Sequence, residues 1–212
     1  MICTNVLQHL TALSEAVDLP VNADFESGFA SDPQGVAANV ALAVRAGVAG
    51  LSIEDRIVGD LGRLYETPLA VERIRAARAA IDKSGEDVIL VARTESLLIG
   101  GTAAAAIDKL VSFANAGADC LYAPGVRSRD DIAAMVRAVT PKPLNVLVLG
   151  PDLSFGELSD LGVRRISVGS GLARIAWGAA IDAAKRLKTG SFEGLADGMP
   201  SAQLNEIFRG FV

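Results

Sequence analysis

The chain has 212 residues, 50% of them hydrophobic and 5% aromatic, and its 20 Lys and Arg stand against 25 Asp and Glu for a net charge of −5. A mean hydropathy of +0.36 excludes a disordered chain, and an acidic balance without a basic run leaves nucleic acid or an anionic membrane no electrostatic footprint. Two widely separated cysteines, Cys3 and Cys120, lack metal-ligand spacing and suit free thiols in a reducing compartment, while the single histidine, His9, excludes a zinc site built on several imidazoles.

In chain order, an amphipathic stretch over 6–17 predicts an opening helix. Short β-branched runs then predict strands over 19–24, 49–54, 87–93, 118–123, 143–149 and 165–168. Ala- and Leu-rich stretches between them predict helices over 33–46, 69–83, 103–116, 129–139, 155–161 and 172–187. Ser31 and Asp32 before Pro33 form a good helix start, a capping side chain followed by proline in the first turn. Gly47, Gly117 and Gly162 mark helix ends, each followed within a few residues by a strand, as in a parallel α/β fold. The strands are nearly continuous in apolar character, which requires burial on both faces. No linker or low-complexity segment interrupts the chain, so residues 1–212 read as a single domain with a looser helical segment from about 192. Its stripe of Leu204, Phe208 and Phe211 either packs on the barrel or faces another subunit. No leader-like start and no apolar run of bilayer length is present, so a cytoplasmic protein without a membrane partner is expected.

The alternation fits a (β/α)8 barrel or an open doubly wound sheet. No glycine-rich dinucleotide fingerprint follows the first strand; Asp24-Phe25-Glu26-Ser27-Gly28 stands there instead. Acidic residues gather at the C-terminal ends of successive strands, where a barrel keeps its active site, which favours the barrel. Asp24 and Glu26, two apart, lie on one side of an extended strand. Glu54, in Glu54-Asp55-Arg56, adds a carboxylate from the neighbouring strand. Such a group is either a hard-oxygen site for Mg²⁺ or Mn²⁺ or a set of solvated helix caps. Arg93, in Arg93-Thr94-Glu95, is either a structural ion pair with Glu95, Glu54 or Glu26 or a bidentate ligand for a substrate carboxylate. The turn Ser167-Val168-Gly169-Ser170-Gly171 is either a phosphate cradle or an ordinary tight turn. His9 reads as a surface or packing residue, and Trp177 and Cys120 as core.

Residues 19–30, the run Gly47 to Arg56, Val91-Ala-Arg-Thr-Glu95, residues 117–125 and residues 161–167 follow one another in an order and spacing that resemble the isocitrate lyase/phosphoenolpyruvate mutase superfamily. The resemblance implies a (β/α)8 TIM-type barrel, here without its first two βα units, that binds Mg²⁺ and acts on small 2-oxo or 2-hydroxy di- and tricarboxylates. It implies Asp24 as the direct metal ligand, with Glu26 and Glu54 holding metal-bound waters. Arg93 would bind the substrate carboxylate or a developing enolate oxygen, with Glu95 and Asn145 as further substrate-binding residues and Arg93 and Glu54 in the chemistry. A divalent cation and an arginine are what an enolate needs, since both stabilise charge that grows in the transition state.

The loop after Glu54, residues 56–65, lacks the cysteine, lysine and histidine of the isocitrate and methylisocitrate lyases, and the lysine and asparagine of the phosphonopyruvate-type mutases. It is closer to the lyase and decarboxylase branch. The expected function is therefore a Mg²⁺-dependent C–C lyase or decarboxylase, assembled as a homo-oligomer. P–C bond chemistry, mutase or hydrolase, and a non-catalytic metabolite-binding remnant are the competing readings.

Overall fold

The computed structural model describes residues 2–209. In chain order these form α1 (Ile2–Ala16), β1 (Asn22–Asp24), α2 (Pro33–Arg45), β2 (Gly50–Glu54), β3 (Arg56–Ile57), β4 (Asp60–Leu64), α3 (Thr67–Ser84), β5 (Ile89–Arg93), a 3₁₀ turn (Ser96–Ile99), α4 (Ala103–Asn115), β6 (Cys120–Tyr122), α5 (Arg129–Val139), β7 (Leu144–Leu147), α6 (Phe155–Asp160) and β8 (Arg165–Ser167). Together with the residues before them, these elements make one compact unit ending at Ser167. A second unit begins at Val168 and holds α7 (Gly171–Lys188), a 3₁₀ turn (Glu193–Leu195) and α8 (Ser201–Arg209).

The expected strands and helices all form, and their caps explain where they start. Asp32 accepts a hydrogen bond from the Gly35 amide at 2.8 Å, Thr102 from Ala105 and Ser128 from Asp131, while Ser154 and Glu157 close a reciprocal capping box. Gly47, Gly117 and Gly162 take positive φ just past α2, α4 and α6, as their positions in the sequence predict.

Six strands pair in parallel in the order β1-β2-β5-β6-β7-β8, a curled sheet that forms part of a TIM-type barrel. Period-2 alternation divides its side chains. Leu51, Ile53, Leu90, Ala92, Leu121, Leu144 and Val146 join the main core with α2 to α5, whereas Val91, Cys120 and Tyr122 form a small separate cluster with Leu147. That second face carries the site. The stretch 56–65, expected as a loop, instead contains the β3–β4 antiparallel hairpin, turning at Gly59 with φ +78°. The Tyr65 amide then closes onto the Asp55 carbonyl at 2.8 Å, which ties the hairpin to the end of β2.

Cys120 is buried as expected, and burial pushes its thiol up to about 11, so it is unreactive. His9 is a surface residue of α1. Trp177 corrects the sequence reading: it is 69% exposed, on a helix none of whose residues is buried. The reason is size, since one long helix, a 3₁₀ turn and a nine-residue helix cannot enclose an indole. Leu204 and Phe208 are exposed, and Phe211 lies outside the described residues. No helix among the described residues is long and apolar enough to cross a membrane.

Candidate active site

The register brings Glu54 beside Arg93, and Asp24 beside Ser52, on the face away from the main core. Arg93 organises what gathers there. Its guanidinium ion-pairs with Glu95, reaches Asp24 Oδ2 at 3.1 Å and lies 3.5 Å from Glu54 Oε2, with the Tyr122 ring 5.2 Å away. Arg56, from the hairpin, takes the other oxygen of Glu95. Ser52 Oγ and the Glu26 amide both approach Asp24 Oδ1 at 3.4 Å.

Burial opposes the charge on Arg93, but Glu95, Asp24 and Glu54 outweigh it and hold the arginine firmly protonated. Glu54 responds in the other direction. Burial, reinforced by the negative charges of Glu95 and Asp24 and only partly offset by Arg93, pushes its carboxyl up to about 7. Because that value exceeds the ordinary 4.5, the contribution of Glu54 to stability is complete below about 4.5 and is lost as pH rises through about 7. The melting temperature is therefore expected to fall between pH 5 and 8, and Glu54→Gln to flatten that slope; an unchanged slope in the variant would refute the assignment.

Two buried networks hold these side chains in place. Asp55, 2% exposed, points away from the site, where it accepts hydrogen bonds from Lys109 Nζ at 2.7 Å, Thr94 Oγ1 at 2.8 Å and the Glu95 amide at 2.9 Å. It thus pins the end of β2 to the end of β5 and to α4. Arg73, 1% exposed on α3, donates to the carbonyls of Ser27, Ala30 and Ser31 and stacks 4.1 Å over the Tyr65 ring. It clamps the loop after β1, where Glu26 and Phe29 have φ of 45° and 53° and Gly28 has φ +74°. A Cβ at Gly28 would press against Val36 and Ile53 at 3.2–3.3 Å, so the loop needs glycine there for space as well as conformation.

The extended strand expected to carry both Asp24 and Glu26 ends at Asp24. Glu26 lies in the left-handed turn beyond it, although both side chains remain exposed. Glu95 is almost wholly buried and occupied by two arginines. Asn145 is buried on β7, its amide nitrogen 3.0 Å from Ser167 Oγ. Tyr122, beside Arg93, escaped the sequence reading, as did the supporting Asp55, Lys109 and Arg73. Counting alternate residues outward from Asp24 and Glu54 across successive strands would have found Tyr122. The supporting residues carry no local signal.

No cluster of three His, Cys, Asp or Glu among the described residues forms a ready metal cage. The donors nevertheless fit Mg²⁺ or Mn²⁺, which accept one or two carboxylates and keep several waters. Asp24, Glu26 and Glu54 offer only hard oxygens, and the Asp24 side chain is 66% exposed.

A sequence model of the family described as phosphoenolpyruvate phosphomutase matches residues 1–188. An oxaloacetate decarboxylase of Bradyrhizobium is 29% identical over 95% of this chain and 70% of its own. A solved structure from Burkholderia cenocepacia, classed only as lyase/mutase, superposes with a TM-score of 0.92 at 40% identity, covering 98% of this chain and 76% of that one. A 2,3-dimethylmalate lyase superposes with a TM-score of 0.84 at 28% identity, covering 97% and 73%. The chain spans 41% to 70% of the length of curated relatives it matches. With the matched residues covering the sheet and every site residue above, the chain belongs to the phosphoenolpyruvate phosphomutase family of the isocitrate lyase/PEP mutase superfamily.

Proposed function

We propose that the protein is a Mg²⁺-dependent lyase or decarboxylase, able to use Mn²⁺, that cleaves a C–C bond in a small 2-oxo or 2-hydroxy di- or tricarboxylate through an enolate-like intermediate. The observation that carries this reading is Arg93, held between Asp24, Glu54 and Glu95 at the C-terminal ends of neighbouring strands. Oxaloacetate and 2,3-dimethylmalate, named by two relatives, are substrates of that kind.

Asp24, Glu26 and Glu54 would hold the cation, which would supply Lewis-acid stabilisation of negative charge developing on a substrate oxygen. Arg93 donates its N–H groups to a substrate carboxylate or to that oxygen. Glu95 and Arg56 fix its orientation in advance, so that little reorganisation is needed as charge develops. Glu54, 3.5 Å from the Arg93 guanidinium, can take the proton of a 2-hydroxyl group and return it. Asp24 is expected to control metal binding. Titrating Mg²⁺ while following thermal unfolding should show stabilisation in the native sequence, and an affinity at least about ten-fold weaker in Asp24→Ala. Equal Mg²⁺ affinity and equal turnover in the two proteins would overturn the metal assignment. The family description favours a second reading, P–C bond chemistry; parallel assays with oxaloacetate and phosphonopyruvate separate the two.

A further inference from the structure

Arg73 is buried within α3, yet among the described residues it has no ion pair, whereas Arg56, Arg75, Arg78 and Arg93 all do. Burial works against its charge, and an apolar side chain of similar volume would often be as stable there. What an apolar side chain cannot do is gather carbonyls. Arg73 donates to the oxygens of Ser27, of Ala30 at 2.7 Å and of Ser31 at 2.6 Å, all in the turn between β1 and α2. The face of its guanidinium rests on the Tyr65 ring, which is buried at the base of the β3–β4 hairpin.

The turn held in this way is not one the chain adopts freely. Glu26, Gly28 and Phe29 all have positive φ, and in the two non-glycine residues that conformation persists only where the surroundings enforce it. Glu26 is the more consequential of the two, because its backbone meets both neighbouring carboxylate residues. Its amide nitrogen lies 3.4 Å from Asp24 Oδ1, and its carbonyl accepts the Glu54 amide at 2.8 Å. Relaxation of Glu26 to negative φ would redirect its carboxylate and break both contacts.

We propose that Arg73 is a positioning residue for the metal site. Wedged between the turn and Tyr65, it keeps Glu26 in the left-handed conformation and so aims the carboxylates of Asp24, Glu26 and Glu54, acting only through the backbone of the turn. This deepens the function proposed above and rests on Asp24 as a metal ligand.

Calorimetric titration with Mg²⁺ alone tests the assignment, with the folding of each variant checked by circular dichroism. Arg73→Met removes the fork but keeps an apolar filling, and is expected to weaken Mg²⁺ about ten-fold or more, the usual loss when a residue supporting metal ligands is removed. Arg73→Lys, which can reach some of the carbonyls but cannot span all three as a planar fork, should fall between, and decides the matter if Arg73→Met does not fold. Ile81→Ala opens a cavity further along the same helix and lowers stability, but should leave Mg²⁺ affinity within about two-fold. A merely structural Arg73 would behave like Ile81. If the Arg73 variants bind Mg²⁺ as the native protein does while Asp24→Ala does not, positioning by Arg73 is refuted and the metal reading stands. If Asp24→Ala also binds Mg²⁺ normally, the metal reading itself fails, and the role of Arg73 with it.

Discussion

Arg93→Gln should lower kcat/KM by about 10²–10³, the usual loss when a preorganised donor to a developing oxyanion is removed. The magnitude follows from how Arg93 is held. Its fork meets carboxylates on β1, β2 and just beyond β5, and Arg56 secures Glu95 from the other side. Deleting the guanidinium removes the donor and also leaves Asp24, Glu54 and Glu95 facing one another, which drives Glu54 further toward its protonated form. Arg93→Lys separates the two effects. It keeps the charge and hence most of the stability, but a single ammonium cannot reproduce a planar fork directed at several oxygens. The expected pattern is a melting temperature near that of the native protein with most of the activity gone. Full activity in Arg93→Lys would show that Arg93 serves only as a structural ion pair.

Asp55→Ala should be the most destabilising of the simple substitutions, at about 3–5 kcal/mol, the range for removing one partner of a buried ion pair. The Asp55 side chain is fully buried and that of Lys109 is 15% exposed, so the alanine strands an ammonium with little access to water. The Thr94 hydroxyl and the Glu95 amide lose their acceptor in the same step. At roughly 2–4 °C per kcal/mol for a chain of this size, the melting temperature should drop by about 10 °C. Lys109→Leu added to Asp55→Ala should recover part of the loss, because no unpaired charge then remains. A fall of under about 1 kcal/mol in denaturant titration of Asp55→Ala would refute this account of the network.

Asp55 and Glu54 also show where reading the chain one residue at a time reaches its end. In the sequence they are adjacent acids at the end of one strand, equally suited to a metal site. In the structure, alternation sends Glu54 toward Arg93 and Asp55 toward Lys109, two elements further on. That Asp24, Glu54 and Arg93 stand at the ends of neighbouring strands was legible, because each closes an apolar run. Glu95, expected as a substrate contact, is buried between Arg93 and Arg56, a setting its place just beyond β5 did not reveal. Arg73 offered no signal at all. It sits within α3 among other charged residues, and only the approach of the loop after β1 turns it into a buried clamp.

What the sequence by itself determined is local. Apolar runs set the strands, capping side chains and Pro33 began helices, and glycines at positive φ ended them, because each depends on residues within about one turn of one another. The same local order, repeated, was enough for a parallel barrel-type sheet and for its family. Which charges meet was decided only by the tertiary structure. The pairing of Arg93 with Asp24 spans 69 positions, that of Asp55 with Lys109 spans 54, and the hold of Arg73 on Ser27 spans 46. Such contacts depend on strand register and on the path of each crossover helix, and no stretch of sequence contains either.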